Sequence, residues 1–249
     1  MDGGAAKRIA VLCVAQPGER VVEIGAGTGA LTRSLLDSGA RVTALEVDPA
    51  LVEILNERDD LAGAEIVLAD ALTYDYDAAS RFEPWCAAGN LPYNVATPLI
   101  LKWLEMNHPP ARIVAMIQRD VADRLTATPN SPQYGSLTLF VSYWMTVRRA
   151  FTLGPAAFYP RPKVESTVVV MERRLTPAAP ARDPAFMLQV VRAGFAYRRK
   201  TLANSLALAL GIERAKTQAA LADIALDTEI RAEQLDLGNF GALADALGA

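Results

Sequence analysis

The sequence predicts an α/β fold, a mainly parallel sheet covered on both faces by helices, with a small C-terminal helical domain after it. Three observations predict this. Short β-branched runs alternate with helical patterns across residues 20–117, at the spacing that parallel strands and crossover helices need. Residues 134–149 and 164–173 are β-rich with no helical pattern between them, which predicts an antiparallel pair at one sheet edge. From Phe186 onward the chain is rich in Ala and Leu with helical periodicity.

Taken in order, residues 20–24 form a β-branched run that ends in Glu23-Ile24-Gly25-Ala26-Gly27-Thr28-Gly29, and a helical pattern covers 28–36. Residues 41–45 read as a second strand, and Asp48-Pro49 turns the chain into a helix containing Leu51, Val52 and Leu55. Residues 65–68 are a third strand. Residues 85–89 are a fourth and run directly into Asn90-Leu91-Pro92-Tyr93. A helix over 97–106 and a fifth strand over 112–117 follow. Residues 176–185, rich in Pro and Ala, read as a linker. Helical faces come next: Leu188, Val191 and Phe195, then Leu202, Leu206 and Leu210, then Leu221, Ile224 and Ala225. The predicted division is a domain over 1–175, the linker 176–185, and a helical domain over 186–249.

At 249 residues and 51% hydrophobic content the chain can bury a sizeable core, and mixed charges at 21% exclude global disorder. No apolar run is long enough to span a bilayer, and no signal-peptide pattern opens the chain. Two cysteines, Cys13 and Cys86, favour a reducing, cytoplasmic compartment. One histidine without a Cys/His cluster speaks against a zinc site or a Ser-His-Asp triad. Nothing in the sequence demands a dimer, so a monomer is expected.

The net charge of −3 does not advertise nucleic-acid binding, but its distribution is uneven. Arg148, Arg149, Arg161, Lys163, Arg173 and Arg174 outnumber Glu165 and Glu172. Arg192, Arg198, Arg199 and Lys200 lie in a stretch with no acid between Asp183 and Glu213. Such a stripe can supply a phosphate footprint on an acidic protein, with Arg161 and Lys163 as candidates. Charge clustering alone is equally an ordinary solvated surface.

In an open α/β sheet, ligands sit at the carboxyl ends of the strands near the switch point. Gly25, Gly27 and Gly29, with Ala26, follow the first strand, where small residues let the backbone approach a nucleoside-type cofactor. Glu46, followed by Val47, closes the second strand and is placed to accept from ribose hydroxyls. Asp70, followed by Ala71, comes after the third and is placed to accept from an adenine amino group. Either acid alone would be an ordinary strand-end carboxylate; the ordered set is more telling. Glu23 could orient the loop or help hold a methionine ammonium.

Asn90-Leu91-Pro92-Tyr93 suits chemistry on the amino group of a nucleobase. An adenine amine is a poor nucleophile because its lone pair is delocalised into the ring. The Asn90 side-chain oxygen and the Leu91 carbonyl can accept hydrogen bonds from both amine N–H groups and draw the nitrogen toward tetrahedral geometry, while Pro92 rigidifies the turn. Tyr93 offers a face for the extruded base, a contact worth about 1–3 kcal/mol. Phe158, presented by the Pro-rich loop that continues through Tyr159 and Pro160, is the candidate second aromatic, with Tyr159 as its substitute, although taken alone such a residue is more often core packing. Together these features point to a Rossmann-like class I methyltransferase domain that uses S-adenosyl-L-methionine and modifies nucleic acid.

The residues resemble the small-subunit rRNA adenine dimethyltransferase family, the kasugamycin-sensitivity dimethylases. The resemblance rests on the Glu-x-Gly-x-Gly-x-Gly loop, Gly89-Asn90-Leu91-Pro92-Tyr93-Asn94, Gln118–Arg124 and Tyr134-Gly135-Ser136-Leu137. The segment from Phe158 through Ser166 and Phe195-Ala196-Tyr197-Arg198-Arg199-Lys200-Thr201-Leu202 also match. It covers essentially the whole chain. It implies two methylations on each of two adjacent adenosines near the 3′ end of small-subunit rRNA, with the assembling small subunit as substrate and partner. It carries the cofactor contacts onto Gly25, Glu46, Asp70 and Asn90, and rRNA contact onto a helix bearing Arg198, Arg199 and Lys200.

Family members begin with a basic segment containing Gly-Gln-x-Phe-Leu. This chain opens Met1-Asp2-Gly3-Gly4-Ala5-Ala6-Lys7-Arg8, which reads as lacking it. Two other readings stay open. One is a ribosome-assembly or transcription factor of methylase descent with impaired catalysis; the other is a macrolide-resistance methylase acting on large-subunit rRNA.

Overall fold

In chain order the strands are β1 (Arg20–Ile24), β2 (Arg41–Glu46), β3 (Glu65–Leu68), β4 (Trp85–Asn90), β5 (Arg112–Gln118), β6 (Met145–Leu153) and β7 (Ser166–Arg173). They make one sheet in the order β3-β2-β1-β4-β5-β7-β6. The first five are parallel to their neighbours, and β7 returns antiparallel to β5. The computed structural model describes residues 3–80, 83–92, 94–158, 161 and 163–248, with the side chains of Ala79 and Ser80 outside that set.

The helices are α1 (Gly3–Cys13), α2 (Ala30–Asp37), α3 (Pro49–Asn56), α4 (Tyr76–Ser80), α5 (Ala96–Leu104) and α6 (Arg119–Leu125). They continue with α7 (Ser136–Trp144), α8 (Pro184–Gly194), α9 (Leu202–Leu210), α10 (Arg214–Asp223) and α11 (Leu237–Leu247). The chain divides into two compact units, Met1–Ala122 with Thr146–Arg173, and Asp123–Met145 with Arg174–Ala249. Among the described residues, no helix is long and apolar enough to cross a membrane.

The first unit holds the sheet. Its central strands are buried on both faces, so β5 reads as a continuous apolar run from Ile113 to Ile117 rather than an alternating one. Ile9, Leu31, Leu35 and Leu55 pack with Val21, Val42, Val114, Met116 and Val168 in one core cluster. Each fully buried side chain of this kind stabilises the fold by about 1.5–3 kcal/mol. Elsewhere in the unit Tyr76 stacks on Trp85 at 5.4 Å between centroids, and Trp103 meets both rings edge-on. The outer strand β6 is largely exposed and carries Arg148 and Arg149, charges that oppose pairing with another edge.

The second unit is helical around Tyr143, Met187, Val190, Leu202, Leu206, Leu221, Phe240 and Leu243. The buried Tyr134 hydroxyl donates to Leu235 O at 2.8 Å, and burial raises its pKa above the ordinary phenol value. Asp183, Thr201 and Asp236 cap α8, α9 and α11 by accepting from Phe186, Asn204 and Asn239 N–H.

Three sequence expectations change here. Residues 134–149 are not β throughout: Ser136–Trp144 is helix, and only the end of the stretch enters β6. The alternating Leu137, Leu139 and Val141 imitate a strand, but Leu139 and Tyr143, four residues apart, share one helix face in the core. The segment predicted as a linker is packed: Ala179 is buried, Ala178 N–H donates to Tyr143 O, and Arg182 N–H donates to Asp245. Finally, Arg198, Arg199 and Lys200 do not lie on a helix. They form the turn between α8 and α9, stopped where Thr201 caps the next helix.

Candidate active site

The strand order reverses between β1 and β4, because β2 and β3 extend to one side of β1 and β4 and β5 to the other. That reversal opens a crevice at the carboxyl ends of the strands. Ile24 is in register with Gly89, so the glycine loop and Asn90 leave adjacent strands at the same level.

Gly89 makes this possible. A Cβ there would stand 2.5 Å from Ile24 O, a backbone atom in the middle of the sheet. Gly89→Ala is therefore expected to force β4 away from β1, costing about 2–3 kcal/mol and lowering Tm by several degrees in thermal unfolding. Unchanged stability would contradict the close approach. A glycine inside a strand run, immediately before Asn90, was the available signal for this residue.

After β1 the loop turns through Gly25, Gly27 and Gly29, with φ of 72°, 55° and 78°. Gly25 and Ala26 N–H both donate to Leu45 O, at 2.8 and 3.1 Å, and Gly29 N–H donates to Ala26 O. Among the described residues, a Cβ at Gly25 would meet nothing within 4 Å, so the loop borders open space there. At Gly29 it would strike Leu61 and Leu55 instead. The Arg58 guanidinium donates to Thr28 O and is itself held by both Asp60 oxygens, a brace that no sequence motif announced.

Glu23 lies on β1 just before the loop, 1% exposed, and accepts from the Thr32 hydroxyl of α2 at 2.6 Å. Burial is the main cause that pushes its carboxyl up to about 8; the Thr32 hydrogen bonds pull the other way, and nearby Glu46 adds to the rise. The contact ties β1 to the first turn of α2, the helix that follows the glycine loop.

Glu46 is buried and binds the loops around it. Its Oε2 accepts from Gly27 N–H at 2.8 Å, and its Oε1 from Val47 and Asp48 N–H at 2.9 and 3.2 Å. Three of a carboxylate's roughly four acceptor positions are thus taken. Val47 stands 68% exposed beside it, a large apolar side chain without cover. Asp70 is exposed at the end of β3, and its Oδ1 accepts from Leu72 N–H at 2.8 Å. Ala71 is half-buried, its carbonyl taken by the Tyr76 hydroxyl.

Asn90 is exposed, and among the described residues its side chain has no hydrogen-bond partner. Leu91 is buried, its N–H bonded to Met116 O at 3.0 Å. Pro92 is exposed while its carbonyl accepts from Val95 and Ala96 N–H, which starts α5. Tyr93 lies outside the described residues, as do Tyr159, Pro160 and Pro162. Phe158 is half-buried and packs against the core cluster of the sheet unit.

The basic candidates fall in both units. Arg161 and Lys163 are exposed in the first. Arg198, Arg199 and Lys200 are exposed in the second, where Arg198 also donates to Pro132 O at 3.0 Å.

A family model described as ribosomal RNA adenine dimethylase matches residues 2–242. The ribosomal RNA small subunit methyltransferase A of Pseudomonas aeruginosa is 40% identical over 99% of this chain and 90% of its own length. That of Phenylobacterium zucineum is 42% identical, over 99% and 84%. Among solved structures, a dimethyladenosine transferase from Plasmodium falciparum shares the fold, with a TM-score of 0.75 at 22% identity over 96% of this chain and 94% of its own. The 23S rRNA methyltransferase ErmE gives a TM-score of 0.74 at 26% identity, over 100% and 99%. A family match along almost the entire chain, joined by relatives near 40% identity, settles its membership: the chain belongs to the ribosomal RNA adenine dimethylase family.

Proposed function

We propose that this enzyme transfers methyl groups from S-adenosyl-L-methionine to the exocyclic amines of two adjacent adenosines near the 3′ end of small-subunit rRNA. The observation that carries the reading is the register of Ile24 with Gly89, which sets the glycine loop beside Asn90, whose side chain has no hydrogen-bond partner among the described residues. The naming of the curated relatives favours the small subunit over the 23S rRNA on which ErmE acts.

The residues fit the cofactor. The open space beside Gly25 admits a ligand against the backbone, the remaining acceptor capacity of Glu46 suits ribose hydroxyls, and the exposed Asp70 suits the adenine amine. Gly27, Gly29 and Ala26 shape the loop, and Val47 and Ala71 flank the adenosine side. When bound, the cofactor supplies an already activated methyl sulfonium, so positioning carries most of the catalysis.

Asn90 Oδ1 and Leu91 O accept hydrogen bonds from the two amine N–H groups, and Pro92 holds their spacing. Tyr93 stacks on the extruded base, and Phe158 serves as the second face once it leaves its core contact. Arg161 and Lys163 on the methyltransferase domain, and Arg198, Arg199 and Lys200 on the helical domain, grip rRNA phosphates. The enzyme works as a cytoplasmic monomer on a small subunit late in assembly.

The test is transfer of labelled methyl to unmethylated small ribosomal subunits, mapped by nucleotide. Dimethyladenosine at two neighbouring 3′-end positions is expected. Label on large-subunit rRNA, or none on either subunit, would overturn the reading.

A further inference from the structure

Between β3 and α4 the chain makes a tight loop whose carbonyls point in several directions, and one lysine gathers two of them. Lys102 Nζ donates to Leu72 O at 2.7 Å and to Tyr74 O at 3.0 Å, and stands 5.1 Å from the Tyr76 ring centroid. The Tyr76 hydroxyl takes a third carbonyl, Ala71 O, at 2.8 Å. Within the loop, Thr73 and Tyr74 N–H donate back to Asp70 O at 3.0 and 2.9 Å, and Leu72 N–H donates to the Asp70 carboxylate. The orientation of Asp70 therefore depends on the residues that Lys102 and Tyr76 hold.

Lys102 sits on α5, the helix that begins where Pro92 O accepts from Val95 and Ala96 N–H. One rigid element thus follows the Asn90 segment at its amino end and fastens the Asp70 loop along its side. An ammonium suits this task because it has only donors to offer, and a charged donor makes a stronger bond to a half-buried carbonyl than a neutral one.

We propose that Lys102 is a positioning residue that locks the Asp70 loop to the helix of the Asn90 segment, so that the adenine of the methyl donor is held in fixed relation to the target amine. The proposal rests on the reading of Asp70 as the adenine acceptor. Lys102 touches neither substrate nor cofactor and acts through the loop backbone.

The test uses the full chain, with S-adenosylhomocysteine and 5′-methylthioadenosine as calorimetric probes; the second keeps the adenosine but lacks the amino-acid group. Lys102→Met is expected to weaken both by the same factor, about tenfold, the loss expected for bonds of this class. The donor KM rises with it while kcat at saturating donor stays within about threefold. Thr73 and Tyr74 amides exchange faster with deuterium, those of β1 and β2 do not, and Lys102→Arg restores most of the affinity. Lys102→Gln repeats the measurement should the methionine variant not fold. Unchanged affinity, or unchanged Thr73 and Tyr74 exchange in a folded variant, overturns the role of Lys102. A wild-type protein that binds neither probe overturns the cofactor reading instead, and the exchange data then still report whether the lysine holds the loop.

Discussion

Asn90→Ala is expected to lower methyl transfer at saturating donor by at least about 10²-fold, the scale seen when one preorganised polar group that faces the reacting atoms is removed. Its stability should stay within about 0.5 kcal/mol of the wild type, as for surface substitutions without packing consequences. The two halves of this prediction come from one observation: the side chain is exposed and, among the described residues, makes no hydrogen bond within the protein. Truncation therefore leaves no orphaned donor and no cavity. On the proposed mechanism, what it removes is the acceptor that draws the amine toward tetrahedral geometry. Single-turnover transfer from labelled donor, with thermal unfolding on the same preparation, checks both halves. Substantial transfer by a folded Asn90→Ala variant would sink the mechanism.

The strand framework was legible because β1 and β3 are short runs with turn signals at their ends, and their observed bounds coincide with the predicted 20–24 and 65–68. The candidate site was legible for a related reason. At a switch point ligand-facing positions cluster at strand ends, and the candidates Gly25, Glu46, Asp70 and Asn90 stand where four strands stop.

What escaped was set by partners distant in sequence. The helix Ser136–Trp144 carries β-branched and aromatic residues, and its state is decided by burial of Leu139 and Tyr143 among residues beyond 186. The packing of residues 176–185 depends on Gly241, where a Cβ would stand 2.5 Å from Pro180 O. Arg58 and Lys102 grip backbone carbonyls, and a carbonyl leaves no trace in residue type. Sequence pattern reports side chains that face a core or a ligand; it is silent on side chains that face the main chain.

The second large effect is a pH dependence written into β1, just before the glycine loop. Glu23 is fully buried with its carboxyl pushed up to about 8 from an ordinary 4.5, chiefly by burial. Between those two values the unfolded chain has lost this proton and the folded chain keeps it. The unfolded state then binds fewer protons, so stability falls as pH rises. The contribution is fully present below the unfolded pKa and is lost as pH climbs through the folded one, a change on the order of a few kcal/mol. Glu23→Gln keeps an oxygen that can accept from Thr32 and cannot ionise. Its stability relative to wild type should therefore improve by a few kcal/mol between pH 5 and pH 8.5, with urea unfolding at the two pH values as the measurement. If the difference between the two proteins is the same at both pH values, Glu23 is not a buried neutral acid. Were Glu23 ionised against a cationic partner, the sign would reverse, and the substitution would cost most at high pH, where the lost charge pair would matter. The direction of the change thus shows whether the folded, ligand-free protein keeps Glu23 as a neutral acid.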